Sequence, residues 1–182
     1  MIERLNDPEE FRRRSHAAWE QNIDYWVAAP LRHVVDVGDY ILDRVSDLCR
    51  RNGNDLPVLL DMGFGSAWLL KSLLARGLSV SYVGLDSMEP FVVRAKETFG
   101  QSDRMQFLVA DVETNLHLSV QADVIVNAFN FFELCDLRQA MRNVSNHLSV
   151  GGTLLMSTID KTFLILALNS AVAVFSERWL FT

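Results

Sequence analysis

The sequence is poor in the residues from which disulfide frameworks and metal sites are built. Among its 182 residues there are two cysteines, Cys49 and Cys135, and neither a Cys-x-x-Cys nor a His-x-x-x-His spacing occurs. Each cysteine lies in a stretch of apolar periodicity, where a reduced thiol behaves as a small buried hydrophobe. We therefore expect two structural thiols and no metal site.

Positive charge is also scarce. Lysine and arginine together number 17 against 23 aspartates and glutamates, which gives a net charge of -6. Nucleic-acid-binding proteins gain most of their affinity from clustered basic side chains. The run Arg12-Arg13-Arg14 directly follows acidic residues at 9 and 10 and is typical of a solvated helix face. No nucleic-acid partner is therefore expected.

Long hydrophobic runs are missing as well. The most apolar segment, 163–175, contains Asn169 and Ser170. It is shorter than the roughly 18 residues that a membrane span needs. The first eight residues contain no apolar core of the kind that secretory signals have. The sequence therefore predicts a cytoplasmic protein that does not engage a membrane.

Two helices are predicted within residues 1–54, which we interpret as a helical cap or lid. Asp7 and Pro8 favour a helix start, and Pro30 ends a helix that runs to about Val27. Gly53 supplies the stop of the second helix. The apolar residues of that helix recur at helical spacing, at Val34, Val37, Ile41, Val45 and Leu48.

Residues 55–182 are predicted to form an α/β core. Short apolar runs predict strands over 58–61, 80–85, 105–110, 124–127 and 153–157, the last of them after a turn at Gly151-Gly152. Helices are predicted between them over 67–76, 89–99 and 137–148. Strands that are apolar on both faces indicate a mostly parallel sheet with helices on both faces, as in Rossmann-like folds.

A glycine-bearing turn follows the first predicted strand. Gly63 and Gly65 allow the backbone to turn tightly and to approach a ligand closely. Asp86 ends the second predicted strand, 21 residues beyond Gly65. An acidic residue at that offset can accept hydrogen bonds from ribose hydroxyls. This arrangement predicts a nucleoside site, although Asp86 also suits the cap of the following helix.

The same turn disfavours a nicotinamide dehydrogenase. A dinucleotide fingerprint needs a small third residue for close packing of helix and strand, and Trp68 occupies that position. No lysine followed by serine or threonine completes a phosphate-binding loop after Gly65. An adenosine ligand without a pyrophosphate therefore fits better.

Five segments, 60–65, 84–90, 107–112, 122–127 and 148–154, resemble in order the motifs of class I S-adenosylmethionine-dependent methyltransferases. The resemblance covers roughly residues 57–158. It implies S-adenosylmethionine as cofactor and S-adenosylhomocysteine as product. The cofactor-binding residues that it implies are Asp61, Met62, Gly63, Phe64, Gly65, Asp86, Ser87, Met88, Asp111, Val112 and Asn127.

The resemblance also assigns roles to these residues. Asp61 would position the loop near the methionine ammonium group, and Asp86 would take the ribose. Met88 would flank the adenine, whose edge would be read by Asp111 with Val112. The backbone carbonyl of Asn127 would face the methionine amino group.

Two positions depart from the family pattern. Ala67 stands where many members have a third glycine. The segment 127–130 reads Asn-Ala-Phe-Asn rather than Asn-Pro-Pro-aromatic, so methylation of bases or glutamine amides is not expected. We therefore expect a small-molecule acceptor.

Members of this family have a seven-stranded sheet, of which the last two strands form an antiparallel pair at one edge. Residues 160–182 leave room for one apolar helix, so we expect the last two strands to be lacking. The open edge and the apolar C-terminal segment would then be covered by a second copy in a homodimer or by a longer parent chain.

Aromatic and acidic residues are the candidates for contact with the methyl acceptor. Glu133 is the candidate general base, because neighbouring aromatic residues can raise its pKa; it also suits a cap of the helix that begins near Asp136. Histidines 16, 117 and 147 are assigned no chemistry. Candidates for a lid or for acceptor contacts are Trp19, Tyr25, Trp26, Phe129 and Phe132, with simple packing as the alternative for the first three.

The resulting hypothesis is methyl transfer from S-adenosylmethionine to an oxygen, nitrogen, sulfur or carbon nucleophile of a small molecule. The alternative is a cofactor-binding or scaffold subunit of the same fold that has no independent activity.

Overall fold

The computed structural model describes residues 8–24, 35–51, 56–128, 134–156, 164–166 and 174–175. Its helices are α1 (Pro8–Gln21), α2 (Val35–Arg51), α3 (Trp68–Ala75), α4 (Glu89–Phe99) and α5 (Leu137–His147). Its strands are β1 (Val58–Met62), β2 (Ser81–Asp86), β3 (Met105–Val109), β4 (Ala122–Asn127), β5 (Leu148–Met156), β6 (Leu164–Leu166) and β7 (Val174–Phe175).

The strands form one sheet in the order β3-β2-β1-β4-β5-β6-β7. The first five strands are parallel, and chain order reverses between β1 and β4. In an open sheet of this kind, ligands bind outside the carboxyl ends of the strands at the reversal point. The Rossmann-like, mostly parallel α/β fold predicted from the sequence is confirmed.

Helices cover both faces of the sheet, as the apolar character of the strands requires. Leu59 and Leu60 point to opposite faces of β1, and both are fully buried. Leu59 belongs to a cluster with residues of α2, α3 and α4, whereas Leu60 packs in a second cluster that includes Ala140 and Val144 of α5. Burial on both sides places β1 at the centre of the core, directly below the glycine turn.

The C-terminal part of the sheet corrects one expectation. Strands β6 and β7 are present, so the prediction that the last two strands are lacking was wrong. β6 pairs antiparallel with β5, where Leu155 lies opposite Ile165, and β7 pairs antiparallel with β6. A short aliphatic run fits a strand and a buried helix equally well by periodicity, so its pattern could not decide between them. The segment forms a strand because the open edge of β5 offers unpaired backbone N–H and C=O groups to which it can hydrogen-bond.

Two further predicted boundaries can be compared with the structure, and the second of them differs. Helix α1 ends at Gln21, and the following Asn22 donates from its side chain to the Ala18 carbonyl at 2.7 Å. Residues 23 and 24 are again helical, and Val27, the predicted helix end, lies outside the described residues. The glycines predicted as a turn, 151 and 152, lie within β5, where the pairing with β4 skips residues. Asp7 lies outside the described residues.

None of the described helices is both long and apolar enough to cross a membrane.

Gly84, in the middle of β2, is expected to tolerate no side chain. A Cβ there would lie 2.8 Å from ring carbons of Phe64 and of Tyr82, and both rings are buried. Gly84→Ala should therefore lower the free energy of unfolding by about 1–3 kcal/mol through overpacking.

Urea unfolding checks this prediction, with Gly38→Ala as the matched control. In helix α2 a Cβ at Gly38 would lie no closer than 3.7 Å to Trp68, an ordinary contact. This second substitution should raise stability by about 0.5–1 kcal/mol, because alanine loses less entropy than glycine in a helix. Equal midpoints for the two variants would contradict the packing argument.

Candidate cofactor site

A cavity opens at the carboxyl ends of the parallel strands, at the point where strand order reverses. It encloses about 1050 Å³, including the part that is open to solvent. One wall comes from helix α1, with Arg12, Ser15, His16 and Trp19. The remaining lining residues are Gly63, Phe64, Gly65, Ser66, Trp68, Asp86, Ser87, Met88, Phe91, Ala110, Asp111, Val112, Glu113, Ala128 and Leu134.

The glycine turn forms the floor of this cavity. Gly63 and Gly65 have φ values of 80° and 51°, in the left-handed region that favours glycine. The backbone N–H of Gly63 donates to the Leu85 carbonyl at 2.7 Å, and that of Phe64 donates to the same carbonyl at 3.2 Å. The end of β2 therefore fixes the start of the turn.

Ala67 continues the turn in an unusual conformation. Its φ of 53° and ψ of 33° are left-handed, although it carries a side chain. This conformation costs an L-residue roughly 1–2 kcal/mol compared with the right-handed one. The glycine that the resemblance implies at this position would adopt this conformation without that cost, and here the surrounding structure holds an alanine in it.

Asp86 links the two loops that border the cavity. Its Oδ2 accepts a hydrogen bond from the backbone N–H of Gly65 at 2.8 Å, and its Oδ1 accepts one from Met88 at 2.9 Å. Burial raises the pKa of this carboxyl group, while the two backbone hydrogen bonds and the nearby His16 lower it. Each carboxylate oxygen retains a further lone pair that can accept from a ligand hydroxyl.

Asp61 lies beneath the turn rather than in the cavity wall. Its side chain is buried among the side chains on one face of the sheet, and Tyr82 donates from its hydroxyl to Oδ2 at 2.8 Å. Burial raises the pKa of Asp61 to about 7, the hydrogen bond from Tyr82 opposes this, and the charge of Asp86 adds to it. Asp61 is thus a buried carboxyl group close to the glycine turn.

The loop after β3 is held from helix α5. Asn143, which is fully buried, donates from Nδ2 to the carbonyls of Val112 at 2.8 Å and of Thr114 at 2.6 Å. Its Oδ1 accepts from the backbone N–H of Leu116 at 3.2 Å. Asp111 caps the same loop by accepting from the Glu113 backbone at 2.8 Å. These contacts fix the backbone that brings Asp111 and Val112 to the cavity.

The structure brings most of the predicted cofactor residues around one cavity. Those in its wall are Gly63, Phe64, Gly65, Asp86, Ser87, Met88, Asp111 and Val112. Three others, Asp61, Met62 and Asn127, are buried beside the cavity without lining it. Side chains alternate along a strand, which turns Met62 into the core on the face of α5. The individual roles of these residues stay predictions.

The acceptor side is described only in part. Tyr25, Trp26, Phe129, Phe132 and Glu133 lie outside the described residues. Trp19, the remaining candidate, lines the cavity and also packs against the core cluster of the neighbouring face. Its position fits both interpretations of this residue, as a lid and as a packing side chain.

Sequence reasoning missed several cavity residues, among them Arg12 and His16. Arg12 was expected on a solvated face, and the exposed side chains of Arg13 and Arg14 do pair with Glu10 there. Arg12 instead turns to the cavity and forms an ion pair with Glu113. His16, assigned no chemistry, lies 3.2 Å from the Ser87 hydroxyl. The available signal was spacing, because positions 12, 15, 16 and 19 share one helix face.

These features define a Rossmann-like α/β domain whose glycine turn and strand-end carboxylates surround one cavity. Residues 59–152 match the family described as Methyltransferase domain, and this match spans just over half of the chain. The chain therefore belongs to the methyltransferase domain family. The resemblance to class I methyltransferases inferred from the motifs is confirmed.

Curated relatives of this chain are methyltransferases and a related synthase. A malonyl-[acyl-carrier protein] O-methyltransferase of Bacillus anthracis is 32% identical over 118 residues, which cover 64% of this chain and 43% of the relative. A ubiquinone biosynthesis O-methyltransferase of Rickettsia prowazekii is 23% identical, over 94% of this chain and 66% of the relative. A carboxy-S-adenosyl-L-methionine synthase of Desulfotalea psychrophila is 26% identical, over 68% of this chain and 57% of the relative. The chain thus spans 43% to 66% of these relatives' lengths.

Solved structures share the fold at low sequence identity. The N-methyltransferase NodS of Bradyrhizobium japonicum, in complex with S-adenosyl-L-homocysteine, superposes with a TM-score of 0.56 at 19% identity, covering 75% of this chain and 70% of that one. A DhpI-SAM-HEP complex superposes with a TM-score of 0.60 at 17% identity, covering 84% and 66%.

The pKa of Asp61 predicts how stability depends on pH. A carboxyl group whose pKa rises on folding, here from 3.8 to about 7, stabilises the fold when protonated. That contribution is complete below pH 3.8 and is lost as pH rises through about 7. Asp61→Asn removes the ionisable group and keeps an acceptor for Tyr82. It should therefore be more stable than the parent at pH 8, by about 1–4 kcal/mol, and equal to it near pH 4.

Thermal unfolding from pH 4 to 8 measures this difference, with Asp103→Asn as a control at an exposed carboxylate. The control should follow the parent at every pH. An Asp61→Asn variant that is less stable than the parent at pH 8 would show that the ionised carboxylate stabilises the fold.

Proposed function

We propose that this chain binds S-adenosylmethionine and transfers its methyl group to a small-molecule nucleophile. One observation carries the proposal: the glycine turn, Asp86 and Asp111, which come from the ends of three neighbouring strands, all line one cavity. Membership of the methyltransferase domain family supports it. The structure of NodS, which has the same fold, contains bound S-adenosyl-L-homocysteine, and this also supports the proposal.

The cavity residues suit the parts of this cofactor. Asp86 would accept hydrogen bonds from the ribose hydroxyls through the lone pairs that Gly65 and Met88 leave free. The apolar side chain of Met88 and the fixed loop at Asp111 and Val112 would hold the adenine. The buried carboxyl group of Asp61 would lose its proton and stabilise the positively charged methionine portion above the turn.

Methyl transfer needs alignment more than acid–base chemistry. The cofactor brings a methyl group already activated by the sulfonium, so the protein chiefly holds nucleophile, methyl carbon and sulfur in line. A general base helps when the nucleophile is a hydroxyl group and is dispensable for a carboxylate. Glu133 is proposed for that role.

An oxygen nucleophile is favoured among the possible acceptors. Two of the relatives, from Bacillus anthracis and Rickettsia prowazekii, are named O-methyltransferases. Arg12 and His16 line the cavity; because Arg12 is already paired with Glu113, the imidazole of His16 is the group that suits an acidic or hydroxylated acceptor. The net charge of -6 fits a small molecule better than a nucleic acid.

A second candidate function is a cofactor-binding or scaffold subunit without independent activity. The chain spans 43% of the Bacillus anthracis relative, whose named activity belongs to that longer protein. In that case cofactor binding would be retained, and residues that complete the acceptor site would come from elsewhere.

Cofactor binding is tested by calorimetry with S-adenosylhomocysteine and with NAD. The parent should bind the former and not the latter, because Trp68 at the cavity wall replaces the small residue of a dinucleotide turn. Asp86→Ala should weaken binding at least about tenfold, since charge-assisted hydrogen bonds to the ribose are lost.

Two controls accompany this measurement. Asp86→Asn keeps a hydrogen-bond acceptor for one of the two loops, so it distinguishes a loss of ligand contacts from a loss of loop structure. Circular dichroism verifies the fold of each variant. Asp103→Asn, at an exposed carboxylate, should bind like the parent. Unchanged affinity in a folded Asp86→Ala variant would refute the assignment of the site.

Catalysis is tested by transfer of labelled methyl groups from S-adenosylmethionine to a metabolite extract. An active enzyme should label small molecules, and added S-adenosylhomocysteine should suppress the labelling. Binding of the cofactor without any labelled product, in the presence of acidic and hydroxylated metabolites, would favour the scaffold alternative.

A further inference from the structure

Helix α1 presents one polar face to the cavity and another to solvent. Arg12 and His16, separated by four positions, lie in the cavity wall. Arg13 and Arg14 point the other way and pair with Glu10 of the same helix. Arg12 thus has different partners from the two arginines that follow it, and among the described residues it alone of the three contacts the core through an ion pair.

Glu113 forms an ion pair with Arg12 at the point where helix α1, the loop after β3 and the start of α5 meet. Its side chain is 6% exposed, and Oε2 accepts from Arg12 Nη2 at 3.1 Å. Its Oε1 accepts from the backbone N–H of Asp136, which caps helix α5. Arg12 Nη1 also lies 3.8 Å from Asp111 Oδ2. One buried carboxylate therefore contacts both α1 and the beginning of α5.

We propose that Glu113 is a positioning residue that couples cofactor binding to the placement of helix α1 and of the first turn of α5. The inference rests on the proposed function, because Asp111 and Val112, which precede Glu113 in its loop, are the residues proposed to hold the adenine. A cofactor that orders this loop orders Glu113 as well, and Glu113 transmits that order to both flanking segments.

The contacts of α1 explain why one ion pair matters. Among the described residues, no backbone hydrogen bond joins α1 to the sheet. Side chains make the connection. Trp19 packs against the core cluster, and the polar contacts include Arg12 to Glu113, His16 to Ser87 at 3.2 Å, and Asp24, beyond the end of α1, to Arg94 at 3.0 Å. The last two contacts are exposed, whereas the carboxylate of Glu113 is almost completely buried. Exposed pairs contribute little, and a buried charge that loses its partner is strongly disfavoured.

The first experiment needs no ligand and uses hydrogen exchange of the full chain. Arg12→Ala should speed exchange in α1, and Glu113→Ala should speed it both there and at the start of α5 around Gln139. Glu113→Gln keeps an acceptor for the Asp136 N–H and should affect α1 alone. Arg14→Ala, on the same helix, is the matched control and should leave both segments unchanged. Parent-like exchange in Arg12→Ala and Glu113→Ala overturns the proposal.

The second experiment measures binding of S-adenosylhomocysteine and its release, followed through Trp19 and Trp68 in the cavity wall. Arg12→Ala and Glu113→Gln should each raise the dissociation constant and the release rate about tenfold. The double variant should be no weaker than the weaker single variant, because both changes remove one interaction. Arg12→Lys should recover part of the affinity, and added salt should weaken the parent more than Arg12→Ala.

The outcomes separate the two proposals. Additive effects, or parent-like affinity in Arg12→Ala, would show that the pair does not act on the cofactor and would overturn the coupling. A parent that does not bind S-adenosylhomocysteine would refute the proposed function and the coupling to this cofactor. The exchange measurement would then still decide whether Glu113 places the two segments.

Discussion

The carboxylate of Asp86 is the constraint on which the site depends. It is buried at the end of β2, and its two oxygens accept backbone hydrogen bonds from two different loops, at Gly65 and at Met88. A buried carboxylate without such partners would be strongly disfavoured, so the loops and the side chain hold one another in place. The floor of the cavity and the start of α4 are therefore fixed together, and the other walls are arranged around them.

Much of this arrangement can be predicted from local patterns of the sequence. Gly63 and Gly65 are required by left-handed turn geometry, and strands buried on both faces leave uninterrupted apolar runs around Leu59 and Val124. Asp86 and Asp111 could be placed at the same end of the sheet, because the strands that precede them are parallel. Each of these predictions needs only neighbouring residues and the rules of parallel sheets.

Other features depend on contacts that no local pattern encodes. Arg12 and Glu113 are 101 positions apart, and three consecutive arginines give no sign of which one turns inward. The residues of β6 and β7 form strands because β5 offers an open edge, a condition that their own periodicity does not contain. Met62 was placed near the ligand by its neighbours in the motif, although strand alternation turns it into the core.

Ala67 has a consequence for the energetics of the turn. A residue with a Cβ samples fewer backbone conformations than glycine does when the chain is unfolded or the turn opens. The same Cβ disfavours the left-handed geometry that the fold imposes on Ala67, with φ at 53°, so the turn carries strain that a glycine would not have. A molecule that binds over the turn must keep Ala67 in this geometry, so part of the binding free energy offsets that strain.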